Sequence, residues 1–248
     1  MKRLFSLLAA LLLAAGITCL PAAQASADLM NENGILRYYD YYGRQAVRIG
    51  VDVSFYNNQV DWEALKMQGI DFAIIRLGGR GWGTGQIYDD RQTQWNLIAA
   101  HDAGLDVGAY FYSTAVNATE AVEEAEASLM KLNGMALQLP LFIDMETSGD
   151  YPNGRSDTLT AGRRAEIADA FCRTVKAAGY QAGIYAGQGF FKYDLDTETM
   201  DYLPIWLASY TVENLLPDYD RRYDLWQYTD SGYVGGIDGP VDMTAVFQ

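Results

Sequence analysis

Short apolar runs and longer helical segments alternate along the chain from residue 47 onward, and this alternation constrains the fold more than any other feature. The runs, rich in β-branched and aromatic residues, are predicted strands at 47–53, 72–77, 107–112, 139–145, 182–186, 205–209 and 225–228. The segments with helical period are predicted helices at 61–67, 92–102, 118–132 and 160–178. Repeats of strand, helix and strand predict an α/β fold with parallel pairing and right-handed crossovers.

The helix ends and the last third of the chain refine this prediction. Gly69, Gly104 and Gly179 follow three of the predicted helices, where a residue in the left-handed conformation commonly ends a helix. Residues 204–247 contain predicted strands but little helical period. The sequence therefore predicts an irregular TIM-like barrel that helix-poor segments complete, rather than a regular eightfold one.

Composition excludes several classes of function. The 248 residues include 18 Lys and Arg against 32 Asp and Glu, so the formal charge is -14. A protein of this charge repels phosphate backbones, and we expect no nucleic acid partner. The single histidine, His101, excludes any site that needs two imidazoles, and two cysteines cannot form a zinc ribbon. We therefore expect neither a metal nor an organic cofactor.

Residues 1–27 have the pattern of a secretory signal peptide. Lys2 and Arg3 precede an apolar run at 4–20, and Ala25-Ser26-Ala27 offers the small residues that a signal peptidase recognises. We expect cleavage after Ala27 and export to the cell wall or the extracellular space. A transmembrane anchor is the competing interpretation, but the run is shorter than the roughly 20 apolar residues of a membrane span. We therefore expect no stable membrane anchor.

Cleavage would change both the charge and the cysteine content of the chain. Two basic residues and no acidic one leave with the peptide, so the charge of -14 becomes -16. Cleavage also removes Cys19 and leaves Cys172 unpaired, in a helical pattern that favours burial. A lipoprotein signal is a further alternative, because Cys19 follows the apolar run. Residues 28–47 are predicted to be a linker or N-terminal arm that precedes the folded domain.

Acidic residues close two of the predicted strands. Asp52 lies near the end of the first strand, while Asp144 and Glu146 close the fourth. Residues i and i+2 of a strand point the same way, so Asp144 and Glu146 are predicted to project together. In β/α barrels the reacting groups lie at the C-terminal ends of the strands. These three acids are therefore the candidate catalytic residues.

Two close carboxyl groups discourage each other's ionisation, so at least one keeps its proton to a higher pH than a free side chain does. This property suits glycoside hydrolysis, in which one carboxylic acid protonates the leaving oxygen and another carboxylate stabilises or attacks the positive centre. Two alternatives stay open at this point: carboxylates that cap a helix or form a salt bridge, and a three-carboxylate metal site, although such sites usually recruit more oxygen ligands.

Seven blocks of sequence, in order and with their spacing, resemble glycoside hydrolase family 25. They are 50–54 with 60–62, 69–76, 103–111, 142–146, 183–185, 205–208, and 225–228 with 239–242. The resemblance covers about residues 48–248, which it implies to be a catalytic domain, and we expect this domain to act as a monomer. Members are peptidoglycan-cleaving lysozymes (N-acetylmuramidases) with an irregular barrel of about five β/α units and three further strands. The resemblance implies the same fold, and peptidoglycan as the partner.

The resemblance also assigns roles to residues of this sequence. It implies Glu146 as the general acid and Asp144 as the neighbour that orients the substrate or stabilises positive charge. Asp52 and Asp242 match the two other active-site acids of the family, and Asp242 is identified by the resemblance alone. Two further positions, Tyr110 and Tyr185, match tyrosines of the substrate cleft.

This sequence departs from the family pattern at a glycine-rich stretch after the second strand, residues 77–85, where many members have an acidic residue and a glycine. A phosphate-binding loop is not supported, because neither a Gly-x-Gly-x-x-Gly register nor a Gly-Lys-Ser/Thr sequence is present. We expect a flexible loop that brings Trp82 to a sugar face, the alternative being an incidental exposed aromatic. Trp206 is a further candidate for stacking on a sugar ring. Phe111 and Thr244 also replace the commoner residues of the family.

The sequence thus predicts an exported lysozyme that hydrolyses the β-1,4 bond between N-acetylmuramic acid and N-acetylglucosamine. The alternative is a non-catalytic module that binds cell-wall glycan on the same fold, which the altered glycine-rich stretch and Phe111 motivate. A metal-dependent polysaccharide deacetylase is a third hypothesis, which the single histidine disfavours.

Overall fold

The computed structural model describes residues 30–32, 35–40, 44–149, 154–198, 200–210 and 216–247. The predicted signal peptide lies outside the described residues. The strands are β1 (Met30–Glu32), β2 (Ile35–Arg37), β3 (Val47–Val53), β4 (Phe72–Arg80), β5 (Ile87–Asp89), β6 (Asp106–Ser113), β7 (Leu141–Met145), β8 (Ala182–Gly187), β9 (Ile205–Ala208), β10 (Leu225–Gly232) and β11 (Val241–Phe247). The α-helices are α1 (Trp62–Met67), α2 (Thr93–Asp102), α3 (Ala118–Leu132) and α4 (Ala161–Ala177).

Eight of the described strands close into a barrel. Strands β3, β4, β6, β7, β8, β9 and β10 are parallel neighbours in that order. Strand β11 runs antiparallel between β10 and β3 and completes the closure. Strand β5 lies outside the barrel, antiparallel to β4. The predicted α/β class and irregular TIM-like barrel are confirmed.

Helices follow the first four parallel strands, and a π-helical turn at Phe190–Asp194 follows β8. Gly69, Gly104 and Gly179 have φ angles of 83°, 77° and 91°, so these glycines end α1, α2 and α4 as predicted. No helix in the described ranges combines the length and the apolar character that crossing a membrane requires.

Large aromatic side chains fill the barrel interior below the C-terminal rim. Phe72, Phe142 and Trp206 are fully buried there and pack in one apolar cluster. A Cβ atom at Gly50 would lie 2.2 Å from the Phe72 ring, and one at Gly183 would lie 2.6 Å from the Phe142 ring. Neighbouring strands must therefore carry glycine for these rings to fit. The rings form the floor on which the polar side chains of the rim lie.

The structure differs from the sequence prediction at the glycine-rich stretch. Strand β4 continues through Gly78 and Gly79 to Arg80 instead of ending at Leu77, because it pairs with β5. A Cβ at Gly78 would lie 2.3 Å from the carbonyl oxygen of Tyr88, so the close partner strand requires glycine. The turn itself is confined to residues 81–86. Strand β11 was also not predicted, and β1 and β2 form a short antiparallel pair within 28–47.

Candidate active site

A cavity of about 560 Å³ opens at the C-terminal rim of the barrel. All eight residues that the sequence analysis selected line it: Asp52, Trp82, Tyr110, Asp144, Glu146, Tyr185, Trp206 and Asp242. The first seven lie on parallel strands or on the loops that follow those strands. Asp242 arrives differently, because β11 is antiparallel and its first residues lie at the same rim, with Asp242 opposite Asp52 in the ladder.

Asp52 is buried and tightly held. The side-chain amide of Gln227 donates hydrogen bonds to both of its oxygens, at 3.1 and 3.0 Å. Burial raises the pKa of Asp52 well above its usual value, and the charge of Asp242 raises it further, while the Gln227 hydrogen bonds lower it. Burial also raises the pKa of Asp242 to about 6, although a hydrogen bond with Asp52 lowers it. The two carboxyls share a hydrogen bond, and burial favours a proton held between them.

Gln227 is fixed from its other side by two tyrosines. Its side-chain oxygen accepts hydrogen bonds from the hydroxyls of Tyr185, at 2.7 Å, and Tyr210, at 2.9 Å. Because these donors occupy the oxygen, the amide nitrogen must face Asp52. The two tyrosines thus fix Gln227, and Gln227 fixes the orientation of the Asp52 carboxyl.

Asp144 is buried with an incomplete set of partners. Its Oδ1 atom has no hydrogen-bond partner, whereas most buried polar atoms in proteins have one. Burial raises the pKa of Asp144 well above its usual value, the charge of Glu146 raises it further, and the guanidinium of Arg76 lowers it. An unpaired buried oxygen that lines an open cavity is an acceptor ready for a donor on a ligand.

Glu146 differs from the two aspartates in accessibility. It follows the last residue of β7, and it is an exposed residue within the walls of the cavity. Desolvation by these walls raises the pKa of Glu146, and Arg76 and the hydroxyl of Tyr185 lower it. Asp144 and Glu146 project together from the end of β7, and Glu146 is the more accessible of the two.

Arg76 is the one basic side chain among the described residues that line the cavity. Its Nη2 donates to the hydroxyl of Tyr88 at 2.5 Å. Its guanidinium carbon lies 5.3 Å from the ring centroid of Tyr112 and 6.0 Å from that of Tyr110. Aromatic faces stabilise a cation in such positions. A single cation is thus held beside several acids, and it offsets only part of their negative charge.

The aromatic residues of the cavity fall into a floor and an edge. Trp206 is 1% exposed, and its Nε1 donates to the hydroxyl of Thr244 at 3.0 Å. Its ring packs on Tyr185, with centroids 4.4 Å apart. Trp206 therefore forms the floor, which leaves little of its face for a ligand. Trp82 is 40% exposed at the edge.

Sequence reasoning missed the site roles of Arg76 and Gln227. A signal for both was present, since each is a polar side chain within an otherwise apolar predicted strand. A buried polar residue at such a place needs partners, and the strand-end acids supply them. Among the described residues, no three His, Cys, Asp or Glu side chains are grouped so as to hold a metal ion.

Acids that converge at the C-terminal rim of a barrel form the arrangement that barrel glycosidases use. Comparison with known families makes this assignment specific. The sequence model for glycosyl hydrolases family 25 matches residues 51–237, and the chain belongs to this family.

Individual relatives agree with the assignment. The autolytic lysozyme of Clostridium acetobutylicum is 29% identical over 78% of this chain and 54% of its own length. The protein YegX of Escherichia coli is 28% identical over 98% of this chain and 89% of its own. The autolysin LytC of Streptococcus pneumoniae has a TM-score of 0.70 and 25% identity, over 88% of this chain and 52% of its own, and has also been solved with a synthetic peptidoglycan ligand. The chain thus spans about half the length of two of these relatives.

Proposed function

We propose that this protein is an exported lysozyme that hydrolyses the β-1,4 bond between N-acetylmuramic acid and N-acetylglucosamine in peptidoglycan. The observation that carries the proposal is the convergence of Asp52, Asp144, Glu146 and Asp242 on one open cavity, with the pKa of each raised. The lysozyme and autolysin relatives support peptidoglycan as the substrate.

Glu146 is the general acid in this mechanism. Its raised pKa keeps a proton on the carboxyl to a higher pH than an ordinary glutamate allows, and its exposure lets a glycosidic oxygen reach it. As that oxygen leaves with the proton, positive charge develops on the sugar ring. General acid catalysis of this kind contributes about 10² to 10⁴ in rate.

Asp144 acts on the sugar that becomes positively charged. Its unpaired Oδ1 accepts a hydrogen bond from the substrate, and the carboxylate stabilises the developing charge. Asp52 and Asp242 share a hydrogen bond deeper in the cavity and complete the negative field. Tyr110 and Tyr185 line the cleft beside them, where they contact the bound sugar.

The test of the proposal is hydrolysis of purified peptidoglycan by wild type and by Glu146→Gln. We expect the release of reducing ends to fall by about 10² to 10⁴ in the variant, because glutamine cannot donate the proton. Equal release by the two proteins contradicts the assignment of Glu146. Binding of glycan without new reducing ends by the wild type would instead favour the non-catalytic wall-binding module.

Export is part of the same proposal. We expect the secreted protein to begin at Asp28, after removal of residues 1–27, because Ala27 completes the small-residue pattern of the cleavage site. Mass spectrometry of the protein recovered from the medium measures this directly. An intact N-terminus on the secreted protein contradicts the predicted signal peptide.

A further inference from the structure

The glycine-rich stretch forms a hairpin, here called the Trp82 hairpin and comprising residues 78–89. Strands β4 and β5 pair as Gly78 with Asp89, Gly79 with Tyr88 and Arg80 with Ile87. Its tip is closed internally, since the amide of Gly81 donates to Gln86 at 2.9 Å and that of Gly85 to Gly81 at 2.8 Å. These amides are therefore not available to cradle a phosphate.

The hairpin forms one wall of the cavity through two aromatic side chains, Trp82 and Tyr88. Both are partly accessible, at 40% and 38% exposure. An indole and a phenol at a cavity edge offer apolar faces and polar tips, the combination that suits a sugar ring. The wall lies beside the carboxyl cluster, with Arg76 between them bound to the Tyr88 hydroxyl.

Arg80 attaches the hairpin to the barrel. Its Nη1 donates to the Gly85 carbonyl at 2.8 Å, and its Nε donates to the Glu124 carboxylate at 2.8 Å. The hydroxyl of Thr114 donates to the Arg80 carbonyl at 3.1 Å. The base of the hairpin is therefore fixed on α3 and on the residue that follows β6.

Arg155 makes a second attachment, from the segment that leads from β7 to α4. Its amide donates to the Trp82 carbonyl at 3.1 Å. Its guanidinium donates two hydrogen bonds to the two oxygens of Glu120, at 2.6 and 2.8 Å, and a third to the Thr114 carbonyl at 3.1 Å. A two-pronged bond between guanidinium and carboxylate fixes orientation as well as distance.

The guanidinium also packs directly on the hairpin tip. A Cβ at Gly85 would lie 3.1 Å from the Arg155 Cζ, and Gly85 has a φ of 68°, so the contact requires glycine there. The segment that carries Arg155 follows the strand and loop that carry Asp144 and Glu146. Arg155 therefore joins the aromatic wall to the element that holds the reacting carboxyls.

We propose that the Trp82 hairpin is a binding subsite for a sugar of the glycan strand beyond the bond that is cleaved, and that Arg155 is a positioning residue that sets the place of Trp82 relative to Glu146. This inference rests on the proposed function for its substrate class, a chain of amino sugars. A subsite at the cavity edge binds a remote ring, so it changes affinity for long glycans more than it changes the chemical step.

The test uses peptide-free glycan fragments of two and of four disaccharides, with affinity measured by calorimetry in the Glu146→Gln background and kcat and KM measured in the active protein. We expect Trp82→Ala to weaken binding of the longer fragment roughly three- to tenfold, the size of a single aromatic contact, and to change binding of the shorter one less than twofold. KM for the longer fragment rises in proportion, and kcat stays within twofold.

Arg155→Ala removes the guanidinium contacts but keeps the amide bond to the Trp82 carbonyl, so we expect the same pattern with a smaller loss. The double variant with Trp82→Ala is expected to be no weaker than Trp82→Ala alone, because Arg155 acts only through the contact that Trp82 makes with the sugar. Arg155→Lys keeps the charge but loses the two-pronged bond, and is expected to lie between wild type and Arg155→Ala. Glu120→Gln is a second variant that weakens the attachment without removing Arg155. Arg163→Ala, an exposed arginine of α4 that pairs with Glu166, is the matched control and should change nothing.

Three results overturn the inference: equal loss of affinity for both fragments, multiplied effects in the double variant, or no effect of Trp82→Ala. Failure of the proposed function is a separate outcome. It is seen when the wild type cleaves neither fragment. The difference in affinity between the two fragments still tests whether the hairpin binds a sugar. If the wild type binds neither fragment, the inference is also overturned.

Discussion

Two clusters of acidic side chains lie on the C-terminal side of the barrel, and they differ in how their carboxyl groups are bonded. The cleft cluster consists of Asp52, Asp144, Glu146 and Asp242. The lateral cluster consists of Glu120, Glu123 and Glu124 with Arg80 and Arg155. Burial raises a carboxyl pKa in both, to about 6 for Asp242 and to about 7 for Glu124.

The clusters differ in how completely their oxygens are bonded. Glu124 is fully buried and accepts hydrogen bonds from Ser113 at 2.6 Å and from Arg80 at 2.8 Å. Asp144 has an oxygen without a partner, and one arginine, Arg76, offsets the charge of its neighbours. A raised pKa therefore does not identify a catalytic acid by itself. The open cavity and the unpaired acceptor make the distinction.

A comparison of kcat/KM between Asp144→Asn and Glu124→Gln tests the difference between the two clusters. It is the comparison with the largest expected effect. We expect Asp144→Asn to lower kcat/KM by about 10² to 10⁴, because the amide cannot stabilise positive charge on the sugar. Glu124→Gln keeps an acceptor for Arg80 and is expected to stay within about threefold. Reducing-end release from purified peptidoglycan measures both, and equal losses would remove the distinction between the clusters.

Arg80→Met tests the lateral cluster through stability. The substitution leaves the buried Glu124 without its cation, which costs about 3 to 5 kcal/mol in the free energy of unfolding. Urea denaturation at pH 8 measures the change. Arg163→Met removes an exposed ion pair and should cost less than about 1 kcal/mol. Similar losses for the two variants would show that the lateral cluster is not a structural unit.

Asp242→Asn tests how much the cleft cluster lowers the free energy of unfolding. The pKa of Asp242 rises from 3.8 to about 6 on folding, so the folded state binds more protons in that interval, and stability falls as pH rises through it. The asparagine can still form a hydrogen bond with Asp52 but carries no charge. We expect the variant to be more stable than wild type by roughly 1 to 3 kcal/mol at pH 8 and equally stable below pH 3.8. Thermal unfolding at both pH values checks the sign, and a less stable variant at pH 8 contradicts it.

Gln227→Met tests how the cleft cluster is held, with the smallest expected effect. Loss of the two hydrogen bonds to Asp52 frees its carboxyl to rotate and raises its pKa further. We expect kcat/KM to fall roughly three- to tenfold, about the contribution of one hydrogen bond. Gln94→Met, on the exposed side of α2, is the control. An unchanged kcat/KM would show that Gln227 does not position Asp52.

The parallel part of the fold could be predicted because local pattern and topology agree there. Periodicity placed each strand from β3 to β10 except β5, and strand ends located Asp52, Asp144 and Glu146. The rule that site residues lie at the C-terminal ends of parallel strands does not apply to the antiparallel strand β11. Asp242 was therefore identified only by the resemblance to the family. The extension of β4 could not be predicted, since Gly78 and Gly79 indicate a turn until Tyr88 is known to lie across them.

The central claim is that Glu146 holds a proton at a pH where an ordinary glutamate has lost it. Carboxyl carbon NMR of glutamate-labelled protein, with the Glu146 signal assigned by its loss in Glu146→Gln, measures this directly. We predict a midpoint above the ordinary value of 4.5, and a further rise in Arg76→Met because the cation that lowers the pKa is removed. A midpoint at or below 4.5, unmoved in Arg76→Met, would contradict the account.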